Sequence, residues 1–199
     1  MIPVPSPENK PAVDAVATAA DEDMSQPHRD RTGFSGWLRD VAISLAVSAF
    51  FIIFLYQPVK VEGTSMMPTL QDQERVFINK FVYKLEPIER GDVVVFRYPR
   101  DPAKSYIKRV VAVAGDSVQI QAGVVYVNGE RLREVYVPRM YEDVRSYPGV
   151  IVPPHSYFVL GDHRNLSNDS RDFGPVDEEF IYGKAVFGYW PVAKLGTLH

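Results

Sequence analysis

From Val41 to Tyr56 the chain reads VAISLAVSAFFIIFLY, with no charged position. A helix over that stretch covers about 24 Å at ~1.5 Å per residue, a little short of a ~30 Å hydrocarbon layer. Trp37 and Leu38 lengthen it, provided Arg39 and Asp40 reach the interface. The run is apolar all round, which sets a lipid-facing segment apart from the one-sided helix of a soluble domain. A cleavable export segment needs a small-x-small site just past its apolar part, and YQPVKVEG has none; Ala46-Val47-Ser48 lies inside the run. The pattern predicts an uncleaved transmembrane anchor over residues 36–58, with Pro58 ending the helix. Arg29, Arg31 and Arg39 precede it, whereas only Lys60 follows closely. The positive-inside rule then puts the N-terminal tail in the cytoplasm and residues from about 59 onward across the membrane.

Beyond the anchor the pattern changes. ERVFINKFV, DVVVFRY, YIKRVVAVAG, SVQIQAG, VVYVNGERL, SYFVLGD and KAVFGYW are short runs of β-branched and aromatic residues set between Gly, Pro, Asp and Asn. Their spacing favours antiparallel sheets over βαβ units, and Asn128-Gly129 suits a type I′ hairpin turn. The expected fold class is mainly β: one antiparallel β-rich domain over residues 59–199 behind a single N-terminal helix. Residues 1–35 are rich in Pro, Ala, Asp and Glu without a sustained apolar period, and read as a disordered tail. A helix around Ala12 to Ala20 would have too little apolar surface to pack firmly.

Composition narrows the chemistry. A chain of 199 residues, 46% hydrophobic, with net charge -3, fits one modest domain plus an added segment and offers no sign of a nucleic-acid partner. Cysteine is absent, which excludes a disulfide framework, a thiolate zinc site and a cysteine nucleophile. There is no H-E-x-x-H, no Cys/His ligand set and no glycine-rich phosphate loop, so neither metal nor cofactor is expected.

Three stretches carry candidate chemistry. Ser65, in EGTSMMPTL, is either an ordinary turn residue bonding nearby backbone or a nucleophile in need of a base. Histidine is a poor source of that base: His28 falls on the tail's side of the membrane, His199 is the last residue, and His155 and His163 read as surface positions. Glu178 and Glu179 sit in a charged run that reads as a solvated face. Lys108, in SYIKRVVAVAGD, shares a strand face with Tyr106 and Val110. If that face is dry, its pKa falls and it can take a proton from a hydroxyl; an edge-strand lysine that blocks aggregation fits the same pattern. GDHRNLSNDSRDFGPV, residues 161–176, has the density of short polar side chains that cross-bonds a loop into a fixed shape. Asp162, Asn165, Asn168, Asp169 and Asp172 also carry calcium-type oxygens, but Arg164 and Arg171 would repel a cation and EF-hand spacing is missing.

SMMPTL at 65–70, RGDVVVFRYP at 90–99, YIKRVVAVAGD at 106–116 and the 161–176 loop, in that order behind an anchor, resemble the motifs of the bacterial type I signal peptidases. These are membrane-anchored serine proteases with a Ser/Lys dyad, and the resemblance covers roughly residues 37–192. It implies that Ser65 is the nucleophile, Lys108 the general base, Ser167 the hydroxyl that holds the lysine amine, and Asp169 with Arg171 a supporting ion pair. It also implies the partners: signal peptides of exported preproteins, cut after small residues in an Ala-x-Ala pattern, at the bilayer of the bacterial plasma membrane. Val61, Met66, Leu70, Tyr106 and Ile107 match the pocket next to the cut, and Val59 and Val95 its continuation.

Two departures qualify the match. Larger members insert a second β-domain between the lysine and the last motif, whereas here only about residues 117–160 intervene. Many members have a serine where Gly63 stands, whose hydroxyl helps bind the oxyanion. Here the Ser65 backbone N–H is the expected donor, and Thr64, nearest by sequence, is expected to face away. The self-cleaving SOS repressors share the dyad but carry a DNA-binding head in place of an anchor and acidic tail. An inactive membrane-tethered β-module would not need Ser65, Lys108 and Ser167 together.

Overall fold

The computed structural model describes residues 32–198. The tail segment 1–31, including the Ala12 to Ala20 stretch, His28, Arg29 and Arg31, lies outside the described residues, as does His199. The chain divides into two compact units, Met1–Ala42 and Ile43–His199, and every described strand belongs to the second.

Helix α1 (Thr32–Leu55) contains the apolar run. Its Ser35–Leu55 portion, 21 residues with none of the apolar window buried, spans about 31 Å and so matches a hydrocarbon layer without help from a following segment. Arg39 donates from Nε and Nη2 to Asp40 Oδ1 at 3.1 and 3.0 Å, so both charges enter the helix as a neutral pair. The helix begins earlier than residue 36 and stops at Leu55, before Pro58. Tyr56–Lys60 instead form β1, and Pro58 is tolerated there because β1 is an edge strand with a single neighbour.

The remaining strands are β2 (Arg75–Asn79), β3 (Val93–Tyr98), β4 (Asp101–Ala112), β5 (Ser117–Gln121), β6 (Val124–Val127), β7 (Glu130–Arg131), β8 (Tyr147–Ile151), β9 (Ser156–Leu160), β10 (Val176–Asp177), β11 (Ile181–Trp190) and β12 (Gly196–Thr197), with a one-turn helix α2 (Ser170–Phe173) before β10. The larger sheet runs β1-β2-β11-β3-β4-β9-β10, with β12 beside β11; the smaller runs β7-β6-β5-β8. Each pairing is antiparallel. The smaller sheet comes from the interval after the lysine motif. Its β6–β7 turn has Asn128 at φ 54 and Gly129 at φ 82, the positive values a type I′ turn requires.

Strand β4 has apolar layers on both faces. Val110 joins a cluster with Ile88, Val94, Phe96, Val159 and Val176, whereas Val111 and Phe158 join one shared with the smaller sheet, through Val118, Ile120 and Val125. From Lys108 to Ala112 every residue of the strand is buried, so the polar members of that stretch must find partners. Lys108 and Arg109 are those members.

Candidate active site

Ser65 sits in the turn that joins β1 to β2. The turn's base is closed by Val61 N–H to Glu74 O at 2.7 Å and Gln73 N–H to Val61 O at 2.9 Å. At its tip, Gly63 has φ +98 and donates its N–H to Asp72 Oδ1 at 2.8 Å, which holds that carboxyl below its ordinary value. A side chain at this φ would be strained, so glycine here has a backbone reason. Met66 and Leu70, 1% and 0% exposed, press the far limb of the turn into the core, leaving Ser65 half-buried at the surface of that plug.

Lys108 approaches from β4, an interior strand between β3 and β9, so it is not an edge-strand lysine. It is 3% exposed. Its Nζ lies 2.7 Å from Ser65 Oγ and donates to Ile107 O at 2.9 Å, and it stands 5.3 Å from the Tyr106 ring centroid, on the face that alternation predicts. Burial pulls the amine from 10.5 down to about 8, against the opposing pull of the Asp169 and Asp162 carboxylates.

The loop from Gly161 to Phe173 closes the site from the third side. Asp169 caps α2 and accepts from Arg171 Nε at 2.8 Å and Nη2 at 2.8 Å, so the expected pair forms. Burial pushes the Asp169 carboxyl up, but Arg171, with smaller help from Ser167 and the Gly161 N–H, offsets this and leaves it low. Ser167 does not hold the lysine amine: its buried Oγ makes no well-formed hydrogen bond, although it lies close enough to Asp169 to favour the charged carboxylate. The loop's acidic oxygens are engaged by arginines: Asp162 by Arg109, Asp169 by Arg171 and Asp172 by Arg145. No group of three or more acidic or histidine side chains able to hold a metal occurs among the described residues.

His163 differs from its expected surface position. It is 8% exposed, and its Nδ1 lies 3.0 Å from Thr64 O while its N–H donates to Ser65 O at 3.1 Å. His155 is exposed, with Nδ1 3.5 Å from Glu178 Oε2.

Ser65 and Lys108 open into a cavity of about 410 Å³ whose walls include Val59, Val61, Val95, Tyr106 and Ile107, together with Leu166, Asn168 and Tyr182. Met66 and Leu70 do not reach it. They are buried in the cluster that contains Val61 and against which Ile107 packs, because a turn carrying two large apolar side chains has no other place to remove them from water.

Sequence reasoning missed the ion pair beneath the site. Arg109, 1% exposed, donates from Nε and Nη2 to Asp162 at 3.0 and 2.8 Å and from Nη1 to Gly91 O at 2.9 Å. Its guanidinium lies 4.1 Å from the Tyr136 ring centroid. Thr69 Oγ1 donates to the same Asp162 at 2.5 Å, so the Ser65 turn, β4 and the 161–173 loop share one knot. The available signal was Arg109 itself, a guanidinium inside an apolar strand, which when buried requires a carboxylate.

The family model described as "Signal peptidase, peptidase S26" matches residues 34–190. Signal peptidase IB of Staphylococcus aureus is 34% identical over 174 residues, covering 79% of this chain and 90% of its own length. The probable signal peptidase I-2 of Synechocystis is 40% identical over 166 residues, covering 79% of this chain and 72% of its own length. A crystal structure of a signal peptidase I from Enterococcus faecalis is 29% identical, covering 50% of this chain and 97% of its own, at a TM-score of 0.44.

Proposed function

This chain belongs to the signal peptidase family, hydrolases that remove signal peptides, and from that premise we propose that Ser65 and Lys108 form its catalytic dyad. The observation that carries this reading is the 2.7 Å contact between Lys108 Nζ and Ser65 Oγ at the wall of an apolar cavity. A lysine drawn down to about 8 has an appreciable neutral fraction near neutral pH, and in that state the hydroxyl donates to the amine. Neutral Lys108 takes the Ser65 proton as Oγ attacks the scissile carbonyl, and the ammonium so formed protonates the departing amine. Water deprotonated by the same lysine then releases the acyl group and restores Ser65. The Ser65 N–H stabilises the oxyanion. Asp169 and Arg171 stiffen the loop that confines the lysine.

The substrate reading is a signal peptide cut after small residues in an Ala-x-Ala pattern. Val59, Val61, Val95, Tyr106 and Ile107 line the cavity into which Ser65 opens, and in this reading Val61, Tyr106 and Ile107 take the side chain next to the cut and Val59 and Val95 the one further back, bulky side chains being rejected by overlap. Met66 and Leu70 support that wall from behind. Ser35–Leu55 is the membrane anchor, the tail before it lies in the cytoplasm, and residues from about 59 form the catalytic domain outside the bacterial plasma membrane.

The test is processing of a preprotein by the full chain in detergent. Ser65→Ala and Lys108→Ala should each reduce cleavage by at least about 10³-fold with melting temperature preserved. Retained cleavage by folded Lys108→Ala would sink the dyad.

A further inference from the structure

The peptide units on either side of Ser65's α-carbon are held from behind by a residue that the dyad does not employ. His163 donates its N–H to Ser65 O at 3.1 Å, and its Nδ1 lies 3.0 Å from Thr64 O. A carbonyl oxygen can only accept, so Nδ1 carries the proton. The ring is buried and set edge-on against Tyr141, with centroids 4.3 Å apart. His163 O in turn accepts the Leu166 N–H at 3.0 Å, and the preceding Asp162 is locked onto Arg109. The imidazole therefore has little freedom of its own.

Thr64 C=O and Ser65 N–H belong to one peptide plane, which is trans, and in a trans peptide the two point in opposite directions. Thr64 O accepts from His163 Nδ1 on one lone pair and from the Met67 N–H, at 3.0 Å, on the other. Anchoring the carbonyl this way turns the Ser65 N–H away from His163. Among the described residues that N–H donates to no acceptor in the chain, and Thr64 and Ser65 both line the cavity. An unpaired backbone donor beside a nucleophile is a preorganised site for a developing negative oxygen. Gly63 supplies no hydroxyl to share that task.

We propose that His163 is a positioning residue: by donating Nδ1–H to Thr64 O it aims the Ser65 N–H at the oxygen that becomes anionic when Ser65 attacks. The proposal rests on the assignment of Ser65 as nucleophile. Its signature is a loss in kcat with little change in KM, because the oxygen calls on the donor most strongly in the transition state.

The test compares His163→Leu, which removes the donor, with His163→Asn, whose Nδ2 amide can stand near the place of Nδ1, using the full chain in detergent and a preprotein substrate. His163→Leu should lower kcat by about tenfold or more with KM within about threefold, while His163→Asn stays within about threefold of wild type in both. If His163→Leu fails to fold, His163→Phe, which keeps a ring and removes the donor, takes its place against His163→Asn. Wild-type kcat in the donor-deficient variant overturns the proposal. So does equal impairment in His163→Asn, which would mean that the ring's packing matters and its donor does not. Ser65→Ala assayed alongside separates the two assignments: retained cleavage there defeats the dyad, whereas an inactive Ser65→Ala beside an unimpaired donor-deficient variant defeats the role of His163 alone.

Discussion

At the residue scale the site turns on one amine held where water would otherwise keep it charged. Lys108 titrates at about 8 in the folded chain, against 10.5 when exposed. Below that value the folded protein holds an ammonium that cannot accept a proton. Cleavage should therefore rise as pH climbs through about 8 and level off above it, and a pH profile of kcat in the full chain checks this; a rising limb centred near pH 6 would contradict it. Folding follows the same shift. Between about 8 and 10.5 the unfolded chain binds the extra proton, so stability increases with pH across that window and the penalty is fully felt below it. At pH 7 the shift corresponds to about 3 kcal/mol. Lys108→Met should melt no lower than wild type at pH 7, with its advantage shrinking as pH rises toward 10.5. A melting temperature several degrees lower at pH 7 would show that the lysine stabilises the fold.

At the scale of elements, the site is three segments brought together: the β1–β2 turn, strand β4 and the 161–173 loop. Gly161 marks how closely they meet. A Cβ on it would lie 2.2 Å from Ser167 Oγ and 2.5 Å from Ser65 O. The second neighbour is backbone of Ser65, the proposed nucleophile, so relief must come by moving Ser65. Gly161→Ala should lower kcat/KM by about 100-fold or more, and overpacking should cost about 1–3 kcal/mol of stability. Undiminished cleavage at an unchanged melting temperature would show that the segments have room to part. This glycine was visible within a polar motif, but the need for it was not. The need comes from Ser167 and from Ser65, and the latter lies in another segment of the chain.

At the scale of the whole molecule, the apolar helix and the β-rich unit make different demands. None of the apolar window within Ser35–Leu55 is buried by the described residues, and only at its C-terminal end does Phe54 pack on a ring of the β-rich unit, that of Phe81 at 5.3 Å, so the rest of the helix calls for lipid. In cells, the full chain should stay with membranes through alkaline carbonate extraction, and protease added from outside should degrade the β-rich unit while sparing an epitope on the N-terminal tail. Release by carbonate, or protection of the β-rich unit from external protease, would overturn the anchor or its direction.

Elements whose cause is local were legible in the sequence. The uncharged run specifies a helix that avoids water, short β-branched and aromatic runs specify β2, β3, β4 and β9, and Asn128-Gly129 specifies its turn, because each depends on residues within a few positions. The motifs likewise marked Ser65 and Lys108, which the fold brings to 2.7 Å, and Asp169 and Arg171, which form an ion pair. Strands β1 and β8 escaped notice because Pro58 and Pro148-Gly149 weaken their local pattern, and it is an edge position that lets each survive. Tertiary structure alone decided that Met66 and Leu70 fill the core instead of lining the cavity, that Arg109 pairs with Asp162, and that His163 is buried against the Ser65 turn. The physical reason is sheet order. Placing β4 between β3 and β9 carries the loop after β9 back beneath Ser65, and which side chains then lose water depends on contacts across about a hundred residues of chain, which no local pattern encodes.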